Sequence, residues 1–210
     1  MSATPIPRTL NFALSYLHDI SLMTSAPKER LPIVTFHGRY SQTIIQTAIH
    51  REHKRGGQIY YLHNNVSTIT RKKESLSDLF PFLRIDIAHA QQPKQQLDRT
   101  MRQFYSHQID LIVCSTIIES GIDVSNANTI IIERADKLGL AQLHQLRGRV
   151  GRSNHQGYAY LLTPEFGEIT ADAKKRLEAI TQCNKLGSSF ELAMQDLEIR
   201  GAGNILGTEQ

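Results

Sequence analysis

From Ile33 to Leu162, short apolar runs alternate with longer stretches of helical periodicity, and that alternation leaves the chain very few folds. Strands are predicted at Ile33–Phe36, Gln58–Leu62, Arg84–Ala88, Asp110–Cys114, Thr129–Ile132 and Tyr158–Leu162. Between them lie four predicted helices. Ser41–Arg55 carries Ile44, Ile45, Ala48 and Ile49 on one face and is stopped by Gly56-Gly57. Ser67–Leu79 is basic and amphipathic. Pro93–Tyr105 begins with a proline and turns Leu97, Met101 and Phe104 inward. Leu140–Val150 is the fourth. Apolar strands separated by helices need a parallel sheet covered on both faces, so an α/β fold is expected. Two more helices, over 171–183 and 189–199, predict a helical hairpin joined at Gly187. Residues 1–24 read as the tail of a preceding domain, with apolar side chains that have no sheet of their own to cover.

Composition narrows the function classes. No apolar run approaches the ~20 residues that cross a bilayer, and no secretory signal opens the chain. The two cysteines, Cys114 and Cys183, lie outside any CxxC or Cys/His cluster. That argues against a disulfide framework or structural zinc and for a cytoplasmic setting. His50 and His53 sit three apart on a helix but lack a third ligand, so no metal site is expected. No GxSxG elbow suggests a serine nucleophile. Charge is uneven: residues 1–160 carry 19 basic and 12 acidic side chains, whereas 161–210 carry 5 and 8. A basic body with an acidic tail suits a polyanionic partner.

Two constellations carry candidate chemistry. In doubly wound sheets ligands bind beyond the carboxyl ends of strands. His63, Asn64 and Asn65 follow the second strand. His89, Ala90, Gln91 and Gln92 follow the third, and Ser115 and Thr116 follow the fourth. Such uncharged hydrogen-bonding residues suit phosphates along a nucleic-acid strand, although each loop singly is also ordinary turn chemistry. The second constellation is Gln145-Leu146-Arg147-Gly148-Arg149-Val150-Gly151-Arg152. If the helix continues, spacings of four and three put Gln145, Arg149 and Arg152 on one face. Leu143, Leu146 and Val150 would then anchor the other face. Gly148 and Gly151 are expected to clear the arginine side for a close-approaching body. Guanidinium forks bind phosphate oxygens in pairs and can stabilise charge in phosphoryl transfer. No GxxxxGK[ST] phosphate cradle exists anywhere in the chain, and no acidic run ends a strand to hold Mg²⁺.

These residues resemble Mfd, the family of bacterial transcription-repair coupling factors, which are superfamily 2 DNA translocases; RecG is the nearest related family. Ser2 to Thr9 resembles helicase motif three, and Tyr60-Tyr61-Leu62-His63-Asn64 motif four. Ser115 to Asp123 resembles motif five and Gln145 to Arg152 motif six. Asn126 to Thr129, Glu133-Arg134-Ala135-Asp136 and Gly139 to His144 are similar to Mfd in particular. Asp196 to Gly207 resembles the translocation motif shared with RecG. The resemblance implies a RecA-like fold. Residues 1–26 would end the first motor domain, 27–165 would form the second, and 166–210 would begin the translocation motif. ATP with Mg²⁺ would be held mainly by the first motor domain. Arg149 and Arg152 would reach that ATP as the catalytic pair, with Gln145, Gly121 and Asp123 lining the cleft. His63, Asn64, His89, Gln91, Ser115 and Thr116 would contact double-stranded DNA. Arg8, Arg200, Gly201 and Gly203 would couple cleft closure to movement. The implied partners are the first motor domain, RNA polymerase and the excision-repair factor UvrA, in nucleotide-excision repair.

The sequence departs from the family at Ala90, where a glycine is usual, at Gln91 to Gln96, where the family is acidic, and at Asn204, where an acid is usual. It reads as a motor fragment. The alternatives are a non-catalytic DNA-binding module, an inactive remnant, and, within the class, a RecG-like branch-migration helicase.

Overall fold

The central strands bury alternate side chains on opposite sides, and this alternation builds two cores around one sheet. The computed structural model describes residues 31–116 and 124–182. Its strands are β1 Val34–Arg39, β2 Gln58–Leu62, β3 Ile85–Ala88, β4 Leu111–Cys114, β5 Ala127–Ile132 and β6 Tyr158–Thr163. All neighbours pair in parallel, in the order β1-β6-β5-β2-β4-β3. The helices are α1 Gln42–Lys54, α2 Ile69–Leu79, α3 Lys94–Tyr105, α4 Leu140–Arg147 and α5 Ala171–Gln182.

On one face, Ile59, Tyr61, Leu111, Val113, Ile131 and Leu162 meet Ile45, Ala48 and Ile49 of α1 and Leu76 of α2. On the other, Tyr60, Leu62, Ile112, Ile130 and Leu161 meet Phe104 of α3, Leu143 and Leu146 of α4, and Leu177 and Ile180 of α5. Four central strands have no solvent-facing side, which explains their unbroken apolar sequences. Strand and helix boundaries fall within a few residues of expectation, with one exception of consequence. α4 stops at Arg147, three residues before the predicted end.

One smaller correction follows from packing. Ile44 is 39% exposed and does not join the buried face of α1. Its neighbour Ile45 takes the inward position. His50 and His53 are exposed; His50 stacks on Phe82 and His53 meets the same ring at a tilt, at 5.4 and 4.8 Å between centroids. Cys114 is buried, and burial alone pushes its thiol well up. The predicted hairpin is represented by α5; its second helix, Gly187 and Cys183 lie outside the described residues, as do residues 1–30.

Candidate functional site

The sheet has two ends, and the predicted residues divide between them. At the carboxyl ends, main-chain hydrogen bonds carry the ladder one step past each strand. Glu133 N–H donates to Leu62 O at 3.0 Å, His63 N–H to Cys114 O at 2.8 Å, and Ser115 N–H to Ala88 O at 3.2 Å. Glu133, His63, Ser115 and the start of the His89 turn therefore stand side by side. The loops that begin at His63, His89 and Ser115, 26 to 52 residues apart in sequence, become neighbours because β4 inserts between β2 and β3.

Within this row the side chains differ in commitment. Asn64 and Gln91 are exposed, and Thr116 is half-buried. Ser115 is nearly buried. His89 N–H donates to Gln92 Oε1 at 3.0 Å, which closes a tight turn, and the buried His89 Nδ1 has no partner among the described residues. Asn65 is turn chemistry: its Oδ1 accepts from Ser67 N–H at 3.2 Å and from the Ser67 hydroxyl at 2.7 Å. His63 is bound on both nitrogens, Nδ1 to Glu133 Oε2 at 2.5 Å and Nε2 to Thr68 Oγ1 at 2.8 Å. Ala90 is exposed, so its methyl group projects where the turn meets solvent.

The arginine constellation lies at the opposite, amino-terminal end. Gly148 caps α4, its N–H donating to His144 O at 3.0 Å. The chain then turns through Gly151, at φ +66°. Arg149 and Arg152 thus ride on the loop after the helix, and the expected common helical face with Gln145 does not form. The physical reason is a glycine pair. Gly151 packs against Gly157, just before β6, and against Ile33, just before β1. A Cβ on Gly157 would lie 2.8 Å from the Gly151 Cα. Gly151 therefore lets two backbone segments meet and takes a left-handed conformation; it does not clear space around the arginines. Leu143, Leu146 and Val150 are fully buried, as their spacing predicts. Arg149 and Arg152 are half-buried, and Arg152 Nε–H donates to Gly148 O at 3.1 Å.

Polar side chains knit this end together. The Ser153 hydroxyl donates to Asn128 Oδ1 at 2.8 Å, and Asn128 Nδ2 donates to Asn126 O at 3.1 Å. Asn126 Nδ2 donates to Gly56 O at 2.9 Å. The fully buried Glu52 accepts from Arg55 Nη2 at 2.5 Å and from the Thr129 hydroxyl. Arg84 grips Asp110 through Nε and Nη2, at 2.9 and 2.6 Å; partial burial pushes the Asp110 carboxyl up, but these bonds hold it below its usual range.

Sequence reasoning passed over Arg147. It is 6% exposed and donates from Nη1 to Ile180 O at 2.8 Å, satisfying a carbonyl in the last turn of α5. The signal was present, because 143, 146, 147 and 150 share the inward face of one helical period. Burial, then the adjacent Arg147, lowers His144 to about 4. Gly121, Asp123, Arg8, Arg200, Gly201 and Gly203 lie outside the described residues.

Comparisons with known proteins agree with this geometry. Residues 40–154 match the model of the helicase conserved C-terminal domain. The whole chain is 54% identical to the transcription-repair-coupling factor of Escherichia coli and 55% identical to that of Buchnera aphidicola from Baizongia pistaciae. It spans 18% and 30% of those proteins. The solved structure of RecG bound to a three-way DNA junction superposes with a TM-score of 0.76 at 32% identity. That match covers 97% of this chain and 27% of RecG. A six-stranded parallel sheet of this order, with an arginine turn at one end and polar loops at the other, is accordingly a RecA-like fold, and the chain belongs to the helicase conserved C-terminal domain family and is similar, over its own whole length, to one part of the transcription-repair-coupling factors.

Proposed function

We propose that this chain is the second motor lobe of an ATP-dependent double-stranded DNA translocase of the transcription-repair-coupling type. The observation that carries the reading is the division of labour across one sheet: polar loops at the carboxyl ends of β2, β4 and β3, and an arginine turn at the amino ends. A lobe so built can touch DNA and a nucleotide at once, and a change at one is transmitted to the other through the strands. Arg149 and Arg152 are the catalytic pair in this reading, and the resemblance adds Gln145, Gly121 and Asp123 to the nucleotide cleft. They suit phosphate oxygens because guanidinium stays charged and presents a fork of donors. Among the described residues no three His, Cys, Asp or Glu side chains gather, so Mg²⁺ would be held with ATP by the first motor lobe. Bound ATP supplies the driving free energy of phosphoryl transfer; this chain's arginines orient and neutralise the phosphates.

At the other end, His63, Asn64, His89, Gln91, Ser115 and Thr116 form the DNA face. Uncharged donors follow a phosphate backbone without reading sequence, which suits a motor that must move along any sequence. Residues 1–26 end the first lobe, 27–165 form the second, and 166–210 begin the translocation motif, where Arg200, Gly201 and Gly203, with Arg8, couple closure to movement. RNA polymerase and UvrA are the partners of the whole protein in this reading, and the cytoplasm is its place of work.

The test is reconstitution. A Walker-bearing first motor domain added in trans is expected to restore DNA-stimulated ATP hydrolysis, and Arg149→Ala or Arg152→Ala in this chain is expected to abolish it. Failure of the unmutated chain to restore hydrolysis overturns the motor reading. Salt-sensitive duplex binding without any restored hydrolysis would leave the non-catalytic DNA-binding module, which the basic residues 1–160 favour.

A further inference from the structure

The carboxyl-terminal edge contains one acidic side chain that the reading above does not use. Glu133 directly follows β5 and is 8% exposed. Arg134 then takes a left-handed conformation, at φ +53°, and closes on Asp136 with two contacts of 3.0 and 2.9 Å. The main chain thus leaves the sheet while the Glu133 carboxylate stays behind, among donors from other elements. Tyr61 of β2 donates its hydroxyl to Oε1 at 2.5 Å. Lys72 of α2 donates Nζ to the same oxygen at 2.8 Å. His63 Nδ1 meets Oε2 at 2.5 Å. The Tyr40 ring covers Lys72 from the loop before α1, with Nζ 5.4 Å from its centroid.

Burying a carboxylate is costly unless several donors compensate it. Burial pushes the Glu133 carboxyl up, but His63, Lys72 and Tyr61 together hold it below its ordinary value. The chain of bonds continues outward. His63 Nε2 meets the Thr68 hydroxyl at 2.8 Å, and that hydroxyl lies 3.3 Å from Asn65 O. Asn65 caps the short 3₁₀ turn Val66–Thr68 through Ser67. His63 is therefore tied directly to this buried anion, Thr68 through His63, and Asn65 through Thr68 and His63 in turn, so the residues flanking Asn64 share one anchor.

We propose that Glu133 is the positioning residue of the DNA face: through His63 and Thr68 its carboxylate fixes the loop that presents Asn64 to a backbone phosphate. This rests on the reading of that edge as the DNA face. The proposal makes a prediction opposite in sign to simple electrostatics. Removing a negative charge beside DNA frees Lys72, and an extra phosphate contact should tighten binding and steepen the salt dependence by ~0.9 in the log–log slope. If the carboxylate instead positions the loop, removing it weakens binding. In Glu133→Gln one oxygen can still accept from Tyr61, but the amide then presents a donor to His63 Nδ1, so the contact to a carboxylate is lost and the imidazole must change tautomer or turn away to keep any bond.

The experiment measures duplex binding by the 210-residue chain across a salt series, for the unmutated chain, Asn64→Ala, Glu133→Gln and the double variant. Asn64→Ala is expected to weaken binding about tenfold. Glu133→Gln should weaken it similarly without a steeper salt slope, and the double variant should be no weaker than either single one. The His63 Nδ1 resonance should shift in Glu133→Gln. Thr68→Val cuts the same chain at an exposed residue and should weaken binding about threefold, which keeps the test open should Glu133→Gln unfold. If Asn64→Ala weakens binding but Glu133→Gln and Thr68→Val tighten it or leave it unchanged, the positioning role is wrong while the DNA face stands. If Asn64→Ala has no effect, the face itself fails and this inference with it. Additive losses in the double variant also overturn it, because Glu133 would then act elsewhere.

Discussion

The two ends of this sheet are built on different principles. At the amino ends, polar side chains are spent on the protein itself: Ser153 on Asn128, Asn126 on the Gly56 carbonyl, Arg55 and Thr129 on Glu52, and Arg84 on Asp110. Two glycines are pressed backbone to backbone. At the carboxyl ends, Asn64 and Gln91 stand exposed on short turns, and one buried carboxylate organises the nearest of them. On the function proposed above, the difference would let one lobe serve two kinds of ligand. A group that must meet a phosphate held by another body needs a fixed base, and in that reading the tightly knit framework gives Arg149 and Arg152 one. Contacts that must be made and released along DNA can sit on small loops, provided that something holds each loop in register.

Substitutions at the amino end should therefore cost stability, and those at the carboxyl end should cost binding. The largest effect is expected from Gly157→Ala. Its Cβ would fall 2.8 Å from the Gly151 Cα, and backbone cannot swing aside. A loss of about 3 kcal/mol is expected in urea unfolding. A loss under about 1 kcal/mol would mean that this end is looser than described. Next comes acid. His144 is held neutral by burial and by Arg147, at about 4, so between its unfolded value near 6.5 and about 4 the unfolded chain binds more protons. Stability should fall by roughly 2–3 kcal/mol as pH drops through that window, and His144→Gln should flatten the slope. A slope unchanged by the substitution would assign the acid sensitivity to other groups.

Arg147→Ala strips a buried donor from the Ile180 carbonyl and should cost about 2 kcal/mol, with faster amide exchange confined to α5. Exchange that quickens evenly over the whole domain would deny the brace between α4 and α5. Arg149→Ala and Arg152→Ala should each cost less than about 1 kcal/mol, so that any loss of hydrolysis in the reconstituted motor reports function and not unfolding. The smallest effect is expected from Arg84→Ala. Its pairing with Asp110 is bidentate but more than half exposed on the arginine side, and such pairs are worth roughly 0.5 kcal/mol. Asp110 is held low, so that contribution is present at neutral pH and disappears as pH falls through its folded value.

The fold was legible because every strand buried on two faces must be apolar along its length, and every covering helix must repeat at 3.6. The loops after β2, β3 and β4 were legible for the same reason: a polar residue that ends such a strand marks where the chain leaves the sheet. Arg147 was legible in principle, since it shares the inward period with Leu143, Leu146 and Val150, but an arginine there reads as part of the neighbouring basic motif. Glu133 was not legible as a hub. Its partner Tyr61 lies 72 residues away and reads from sequence as one more aromatic in a strand.

What the sequence by itself determined is the set of elements, their parallel arrangement and the residue types available at each turn, because periodicity and apolar runs are local properties. Only the tertiary structure decided which turns became neighbours and where the arginines stand. Inserting β4 between β2 and β3 aligned three loops, and the contact between Gly151 and Gly157 ended α4 early and placed Arg149 and Arg152 on a turn. The first depends on strands far apart in the chain, and the second on Gly151 meeting Ile33 from before β1 as well as the nearby Gly157; local periodicity encodes neither contact.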